Sequence, residues 1–353
     1  MRVKMALFLL VALLWSSVAF AQPFAYVPND LDGAVSVIDT ATGTVVTTIP
    51  VGSLPFGVSI TESGDRVYVA NRISNTVSVI DTSTNTVVDT INVGNSPTGI
   101  AVNPAGTRVY VANSGDNTVS VIDTSSNTVT DTIPVGDTPY GVAVNSAGTR
   151  VYVVNAVGDT VSVIDASTNT VVDTVNVGDN PIGVAVNPAG SRVYVTNSND
   201  GTVSVINTST NTVVDTINVG NNPLGVVVNP AGSRVYVVNY ADNSVSVIDT
   251  STNTVLGSIT VGSGPYGLSI NRAGTGLYVA NTISNSVSAI DTATDTVTDT
   301  IAVGNGPSGF GIFIGPDAQV QTIPTLSEWG MMVFCLLMAG SALWIVRRRR
   351  QRV

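Results

Sequence analysis

Short apolar runs, separated by clusters of Gly, Pro, Asn and Asp, recur at a constant interval from residue 24 to residue 315. Residues 99–139 illustrate the unit, with apolar runs at 99–102, 108–112, 118–122 and 128–133. These runs predict four short strands, which we call a, b, c and d in chain order. Their apolar residues occupy both faces, a pattern typical of sheets packed between neighbouring sheets.

The interval is 42 residues, and it is marked by seven tyrosines, each followed by Val, one variable residue and Asn. They are Tyr26, Tyr68, Tyr110, Tyr152, Tyr194, Tyr236 and Tyr278. A four-stranded repeat of about 40–45 residues is the period of a β-propeller blade. The chain is therefore predicted to be all-β. A β-solenoid is the main alternative, but its coils are usually shorter and lack four separate turns.

The ends of the repeat array predict how the ring closes. The first unit begins directly at strand b, residues 24–27, whereas an extra strand a, residues 309–314, follows the last strand d. Counting each strand type gives seven. We therefore predict a seven-bladed β-propeller, four antiparallel strands per blade, in which the C-terminal innermost strand joins the three N-terminal strands and hides the free sheet edges.

Both termini carry targeting features outside the predicted propeller, residues 22–318. Residues 1–21 combine Arg2 and Lys4, an apolar run and the cleavage pattern Ala19-Phe20-Ala21, which predicts a signal peptide. A linker at 319–322 leads to residues 323–353, which contain a predicted transmembrane segment at 331–346 and an Arg cluster. The positive-inside rule keeps that cluster cytoplasmic and places the propeller outside.

The string Ile-Pro-Thr-Leu-Ser-Glu-Trp-Gly, followed by an apolar span and arginines, resembles the IPTL-CTERM sorting signal. The motif residues are Ile323, Pro324, Thr325, Leu326, Trp329 and Gly330. The resemblance implies an exosortase-type membrane protease as a partner, after delivery by the Sec export machinery. It also implies a Gram-negative context, often linked to extracellular polysaccharide. The expected location is the inner membrane first, with the propeller outside the cytoplasm, and the cell surface or medium after processing.

Tyr194-Val195-Thr196-Asn197, with the recurring Pro-x-Gly-Val and Val-Ser-Val-Ile-Asp elements, resembles the YVTN family of β-propeller repeats. The resemblance covers about residues 24–315 and implies a WD40/YVTN-like propeller. Such propellers occur in surface-layer, binding and enzymatic contexts, so the resemblance implies the fold more strongly than the activity.

Composition narrows the chemistry. The net charge is −10, and many of the basic residues lie near the termini, which disfavours nucleic-acid binding. The single Cys335 lies in the tail, so no disulfide is available to the propeller. The chain has no histidine, which excludes Ser-His-Asp catalysis and His-ligated metals. We expect no enzyme activity, catalytic residue, cofactor or strong metal site. The loops at 113–117 and 197–201 offer weak Ca²⁺ binding at most.

Two regular series of charges recur at equivalent positions. One consists of Arg66, Arg108, Arg150, Arg192 and Arg234, and the other of Asp39, Asp81, Asp123, Asp165, Asp249 and Asp291. Since they recur in nearly every blade, we interpret them as groups that pair or cap turns. The alternative is a ring of ion sites.

The loops differ in how much they vary between repeats. The a–b and c–d turns barely change, whereas the d–a and b–c loops do, and in propellers these two pairs lie on opposite faces. The residue between Pro and Gly in Pro-x-Gly begins each innermost strand on the variable face. These residues are Phe56, Thr98, Tyr140, Ile182, Leu224, Tyr266 and Ser308. We predict that they ring one mouth of the central channel and bind a ligand. Unconstrained loop drift is the alternative.

These observations predict an exported, non-enzymatic binding module for carbohydrate, peptide or envelope protein, with extracellular polysaccharide or a surface protein as partner. Two alternatives remain open. One is a structural, self-associating surface protein, and the other is a lactonase-type or other hydrolase that uses only carboxylates.

Overall fold

A computed structural model describes residues 23–315, and the regular elements in this range are all β-strands. In chain order they are β1 (Phe24–Asn29), β2 (Ala34–Asp39), β3 (Thr44–Pro50), β4 (Pro55–Ile60), β5 (Arg66–Asn71), β6 (Thr76–Asp81), β7 (Thr86–Asn92), β8 (Pro97–Val102), β9 (Arg108–Asn113), β10 (Thr118–Asp123), β11 (Thr128–Pro134), β12 (Pro139–Val144), β13 (Arg150–Asn155), β14 (Thr160–Asp165), β15 (Thr170–Asn176), β16 (Pro181–Val186), β17 (Arg192–Asn197), β18 (Thr202–Asn207), β19 (Thr212–Asn218), β20 (Pro223–Val228), β21 (Arg234–Asn239), β22 (Ser244–Asp249), β23 (Thr254–Thr260), β24 (Pro265–Ile270), β25 (Gly276–Asn281), β26 (Ser286–Asp291), β27 (Thr296–Ala302) and β28 (Phe310–Ile312).

The strands form seven antiparallel sheets arranged as a propeller. Strands β4–β7 form blade 1, and each following set of four strands forms the next, up to blade 6 (β24–β27). The closing blade consists of β1–β3 and the C-terminal segment. The predicted seven-bladed propeller is confirmed. The predicted signal peptide (1–21), linker (319–322) and sorting tail (323–353) lie outside the described residues.

The turns follow directly from the residues that form them. In the a–b turn of blade 2, the Gly106 N–H donates to the Asn103 carbonyl at 2.8 Å, and Gly106 has a φ of 69° that favours glycine. In the c–d turn, Asp123 Oδ1 accepts from the Ser125 N–H at 3.0 Å. Asn127 then takes a left-handed φ of 51°, which asparagine tolerates.

The repeated Tyr-Val-x-Asn motif is structural. Tyr110 is fully buried and packs against Val151 and Val153 of the next blade. Asn113 is equally buried, and its Nδ2 donates to Thr118 Oγ1 at 3.1 Å and to Ser120 Oγ at 2.9 Å. Each blade therefore fixes strand b to strand c with a buried polar pair and seals its neighbour with an aromatic ring.

The glycine of Pro-x-Gly allows the inner strands to meet around the channel. A Cβ on Gly99 would lie 2.2 Å from the Tyr140 carbonyl oxygen of the next blade. No real Cβ tolerates that approach, so only glycine fits here. The described residues form a compact unit with its own core, whose buried clusters run from Ala25 to Ile314.

The C-terminal segment closes the ring as predicted, but with an irregular path. Pro307 pairs with Asn29 and Ile314 with Ala25, and the Tyr26 N–H donates to the Phe313 carbonyl at 2.8 Å. Between those bridges the segment advances seven residues against four on β1. In blade 6, Pro265 to Ile270 advances only five against four on β25. Two extra residues therefore bulge towards the channel, where β28 also pairs in parallel with β4.

Glycines permit this bulge. Gly309 has a φ of 52° and Gly311 a φ of 124°, both values that favour glycine. Within residues 23–315 the structure contains no helix long and apolar enough to cross a membrane.

Candidate functional site

Hydrogen bonds between loops establish which loops share a face. The Asp116 carboxylate in a b–c loop accepts from the Asn95 backbone N–H at 2.6 Å and from its Nδ2 at 2.7 Å, and Asn95 lies in a d–a loop. Asp242 accepts from Asn221 in the same way, at 2.7 and 2.9 Å. The d–a and b–c loops therefore form one face, the variable face. The a–b and c–d turns form the opposite one, the turn face.

The apolar residues among the seven predicted mouth residues converge on the channel axis at the variable face. The Phe56 ring lies 5.6 Å from the Tyr140 ring and 5.3 Å from the Tyr266 ring, both edge to face. The hydroxyls of Tyr140 and Tyr266 are 2.5 Å apart. Ile182 and Leu224 belong to the same cluster.

These side chains pack against one another and fill the mouth of the channel. Phe56, Ile182 and Leu224 are only 4%, 7% and 6% exposed, whereas Tyr140 and Tyr266 remain half-buried. Large side chains that all point to one axis bury more apolar surface by packing together than by standing apart. We call these five side chains, together with the Phe310 ring described in the next paragraph, the aromatic plug.

Phe310 completes the plug and was not singled out from the sequence. The bulge in the closing strand places its ring 5.7 Å from Phe56, 5.6 Å from Tyr140 and 6.1 Å from Tyr266. The only available signal was the length of the last apolar run, residues 309–314, which exceeds that of the other inner strands.

Thr98 and Ser308 take a different role from the other predicted mouth residues. The Thr98 hydroxyl lies 3.1 Å from the Pro139 carbonyl and 3.2 Å from the Tyr140 carbonyl, and Ser308 donates to the Phe56 carbonyl at 3.0 Å. Both residues are buried. They join neighbouring inner strands by hydrogen bonds. The small side chains therefore connect adjacent blades, whereas the large ones fill the space around the axis.

Asp30, Arg72 and Tyr240 lie beside the plug, each directly after the Asn of its Tyr-Val-x-Asn motif. The Tyr240 ring is 6.3 Å from Tyr266. Asp30 Oδ1 is buried and has no hydrogen-bond partner among the described residues. Asp30 was not singled out from the sequence, although its position directly after the motif Asn was readable there.

The surroundings shift the ionisation of this group of residues. Burial raises the pKa of Asp30 to about 7, against the opposing effects of the Ser308 hydroxyl and the Arg72 guanidinium. Burial likewise raises the pKa of Tyr140 and of Tyr266. Beside the plug, the carboxyl group of Asp30 thus has a pKa near neutral pH and lies close to the Arg72 cation and the paired phenols.

Other carboxylates on the variable face are occupied by loop structure. Asp32 accepts from the Asn305 N–H at 2.6 Å, Asp200 from the Asp179 N–H at 2.8 Å and Asp159 from the Asn180 N–H at 2.9 Å. Within residues 23–315 no three acidic or other metal-binding side chains come together. Weak Ca²⁺ binding stays a prediction.

Exposed apolar side chains lie in the b–c loops of three consecutive blades on the variable face, and Val157 holds the same position in blade 3. Ile283 of blade 6, Leu31 of the closing blade and Ile73 of blade 1 are 62%, 75% and 68% exposed. Leu31 and Ile73 directly follow Asp30 and Arg72. Surface this apolar beside a charged and aromatic centre suits contact with another macromolecule.

The regular charges pair or cap turns in the blades where contacts are seen. Arg66 bonds Asp81 at 2.6 Å and Arg150 bonds Asp165 at 2.5 Å across adjacent strands, which supports the blade-building interpretation. Arg234 pairs instead with Asp295 of the next blade at 3.1 Å.

Comparison with family profiles gives three matches. The profile described as a YNCE-like beta-propeller matches residues 20–105 and 98–189, and the profile described as a lactonase, 7-bladed beta-propeller, matches residues 168–261. The profile of the IPTL-CTERM motif matches residues 321–351. The resemblance to propeller repeats followed by this sorting signal is confirmed.

Solved structures show the same fold. Hydrazine synthase of Kuenenia stuttgartiensis aligns with a TM-score of 0.70 and 24% identity, over 76% of this chain and 92% of that one. A functionally unknown protein of Desulfotomaculum acetoxidans aligns with a TM-score of 0.74 and 20% identity, over 83% and 99%. At these identities the likeness concerns the fold alone. No curated protein matches the sequence.

Proposed function

We propose that this exported YVTN-type β-propeller repeat protein, which ends in an IPTL-CTERM sorting signal, is a binding module that captures a peptide or protein segment of the cell envelope. Its sorting signal directs it towards the cell surface. The binding site is the aromatic plug together with Asp30, Arg72 and Tyr240 on the variable face. No catalytic step is part of the proposal.

The main support for the proposal is the location of the positions at which the blades differ in sequence. A chain built from near-identical repeats departs from them at Phe56, Tyr140, Tyr240 and Tyr266, and the rings of these residues meet at one place. Asp30 keeps a buried carboxylate oxygen without a partner there. Burying such a group has an energetic cost that a ligand donor would relieve.

The surrounding chemistry favours a peptide over a bare polysaccharide. The exposed Leu31, Ile73 and Ile283 offer apolar contacts that sugar hydroxyls do not use well. Arg72 and Asp30 provide a cation and a carboxyl group close together, which suits a backbone or side chains carrying both donors and acceptors. Tyr240 supplies a half-buried ring with a polar tip, the residue type enriched at binding hot spots.

The test is co-sedimentation of residues 22–318 with purified host envelope and, separately, with extracellular polysaccharide, in the presence and absence of EDTA. A variant carrying Arg72→Ser and Tyr240→Ser removes site groups while leaving the buried plug intact. The expected result is envelope binding that survives EDTA and weakens about tenfold or more in the variant.

The control variant carries Val88→Ser, Val172→Ser and Val214→Ser, which remove three half-exposed apolar side chains from outer strands far from the channel. It should bind like the parent protein. Equal loss in both variants, or no envelope binding at all, would contradict the proposal. Binding to polysaccharide but not to envelope would show that the ligand is a carbohydrate. Ordered self-assembly that is unchanged in both variants would favour the structural alternative.

The route to the surface is part of the proposal. Residues 1–21 would direct Sec export, and an exosortase-type protease would then process the tail, so that anchoring in the inner membrane is temporary. Intact mass of the protein recovered from the cell surface should lack residues 331–353. A full-length mass at that location would exclude processing.

A second candidate function has a specific observation in its favour. The lactonase profile matches residues 168–261, and Asp30 is a carboxyl group with a raised pKa beside the channel, as a general acid requires. Turnover of simple lactones by residues 22–318, abolished by Asp30→Asn, would support a carboxylate-dependent hydrolase. Absence of turnover would leave the binding module.

A further inference from the structure

The channel continues below the aromatic plug as a separate cavity of about 210 Å³. The inner strands of the blades surround it, and the side chains that line it come from Ala, Val, Ile, Leu and Phe, with only Ser59 and Ser269 as polar exceptions. The Ser59 hydroxyl is occupied, because it accepts from the Val102 N–H at 3.1 Å. The side chains that line this cavity are therefore largely apolar, and Phe310 is the residue that it shares with the site proposed above.

Phe310 separates the two spaces. Its ring packs against Phe56 and Tyr140 on the side of the variable face, and it also closes the cavity from above. The parallel pairing of Phe310 with Gly57 holds it at this level of the channel. The closing strand thus acts as a partition across the axis.

The cavity opens towards the turn face. A second space of about 250 Å³ shares Ser59, Val102, Val144 and Ile312 with it and extends to the a–b turns. Glu62 and Arg272 line this entrance and form an ion pair across it, with side chains 67% and 43% exposed. They occur in otherwise repetitive turns of blades 1 and 6, on either side of the closing blade, where the described segment begins and ends.

The side chains around the cavity retain unused contact surface. Val102, Val144 and Val186 are half-buried although they belong to innermost strands. An apolar cavity of about 150 Å³ in an engineered protein core stays dry and binds benzene. A cavity of this size and lining is therefore suited to a small apolar ligand.

We propose that the lower channel binds a single unbranched alkyl chain, which enters from the turn face past Glu62 and Arg272 and ends against Phe310. The polar end of such a ligand remains at the entrance among the charged side chains. The volume of the cavity and the position of Phe310 limit the ligand to a short chain.

The test is isothermal titration calorimetry of residues 22–318 with straight-chain alcohols from butanol to decanol. Using the propeller alone avoids lipid or detergent, into which alcohols would partition. Binding should tighten about fourfold for each added methylene group until the chain reaches Phe310, and then level off.

Three variants make the test specific. Ala143→Leu with Ala185→Leu fills the cavity and should weaken binding about tenfold or more. Phe310→Ala removes the partition and should move the plateau to longer alcohols. Ala241→Leu, at an exposed position of a b–c loop, adds the same bulk elsewhere and should bind like the parent protein.

Urea unfolding verifies that each variant is folded. Tightening with chain length that is identical in the cavity-filled variant would show adsorption to the outer surface and overturn the proposal. Absence of binding by the folded parent protein would show a water-filled channel and overturn it equally. Either result leaves the proposed site on the variable face unaffected, since Phe310 separates the two.

Discussion

The two faces of the propeller are built from the same repeat but use it differently. On the turn face, the c–d turns of blades 2 to 5 each end in an Asn that reaches across to the blade before it. Asn169 Nδ2 donates to Asp131 at 3.0 Å, and Asn211 donates to Asp173 at 2.9 Å. On the variable face, equivalent positions hold Asp30, Arg72 and Tyr240, which share no contact pattern.

This difference shows where the repeat is required and where it is free. Turn-face residues make contacts within and between blades, so a change in one blade disturbs the next. Residues that begin the innermost strands meet instead at the axis, where the rings of Phe56, Tyr140 and Tyr266 share a small space. Variation there changes the plug without breaking the blades, which is the physical reason for placing recognition on that side.

The largest expected effect tests whether the inner strands are structural. Gly99→Ala places a Cβ 2.2 Å from the Tyr140 carbonyl oxygen, so the backbone of blade 2 or blade 3 must move. We expect a loss of about 4 kcal/mol or more in the free energy of unfolding, measured by urea titration. Gly257→Ala in β23 is the matched control, because no atom lies within 4 Å of its new methyl group.

Gly257→Ala should change stability by less than about 1 kcal/mol, with stabilisation the favoured direction. If both substitutions had the same effect, close approach of the inner strands would not be what requires glycine in Pro-x-Gly.

The second-largest effect tests whether the burial of Asp30 on the variable face lowers the stability of the folded protein. Burial raises the pKa of Asp30 from 3.8 to about 7, so the folded state favours its neutral form. That contribution to stability is complete below about pH 4 and is lost as pH rises through 7. Asp30→Asn removes this dependence, so the variant should gain about 3 kcal/mol relative to the parent protein between pH 4 and pH 8.

The measurement is urea unfolding of both proteins across that range. Side-chain and backbone hydrogen bonds from Ser167 lower the pKa of Asp165 to about 2, which acts in the opposite sense and below this range, and both proteins share it. Parallel stability curves for the two proteins would show that Asp30 is well solvated and would remove it from the proposed site.

The smallest effect concerns the bonds that join the blades at the turn face. Asn169→Ala removes one exposed hydrogen bond to Asp131, and its left-handed φ of 53° becomes less favourable. Because water replaces an exposed bond, we expect a loss of at most about 1 kcal/mol, seen as a small shift of the urea midpoint. A loss as large as that of Gly99→Ala would show that the outer contacts, rather than the inner strands, hold the ring together.

Much of the fold was predictable, and less of the site. The Asn and Gly residues of the turns indicated where the backbone adopts a left-handed conformation, as Gly106 and Asn127 show. Convergence of Phe56, Tyr140 and Tyr266 followed from their equivalent positions. Their packing into a plug did not, because it depends on how far seven side chains reach towards a common axis.

The sequence by itself determined the number of blades, the four strands in each, the two faces and the strand that closes the ring. These follow from local patterns whose physical causes lie within a few residues. Only the tertiary structure decided that Phe310 divides the channel, that Asp30 Oδ1 is buried without a partner among residues 23–315, and that Glu62 meets Arg272 across 210 positions of the chain. Each of these depends on ring closure, which brings together residues from opposite ends of the repeat array.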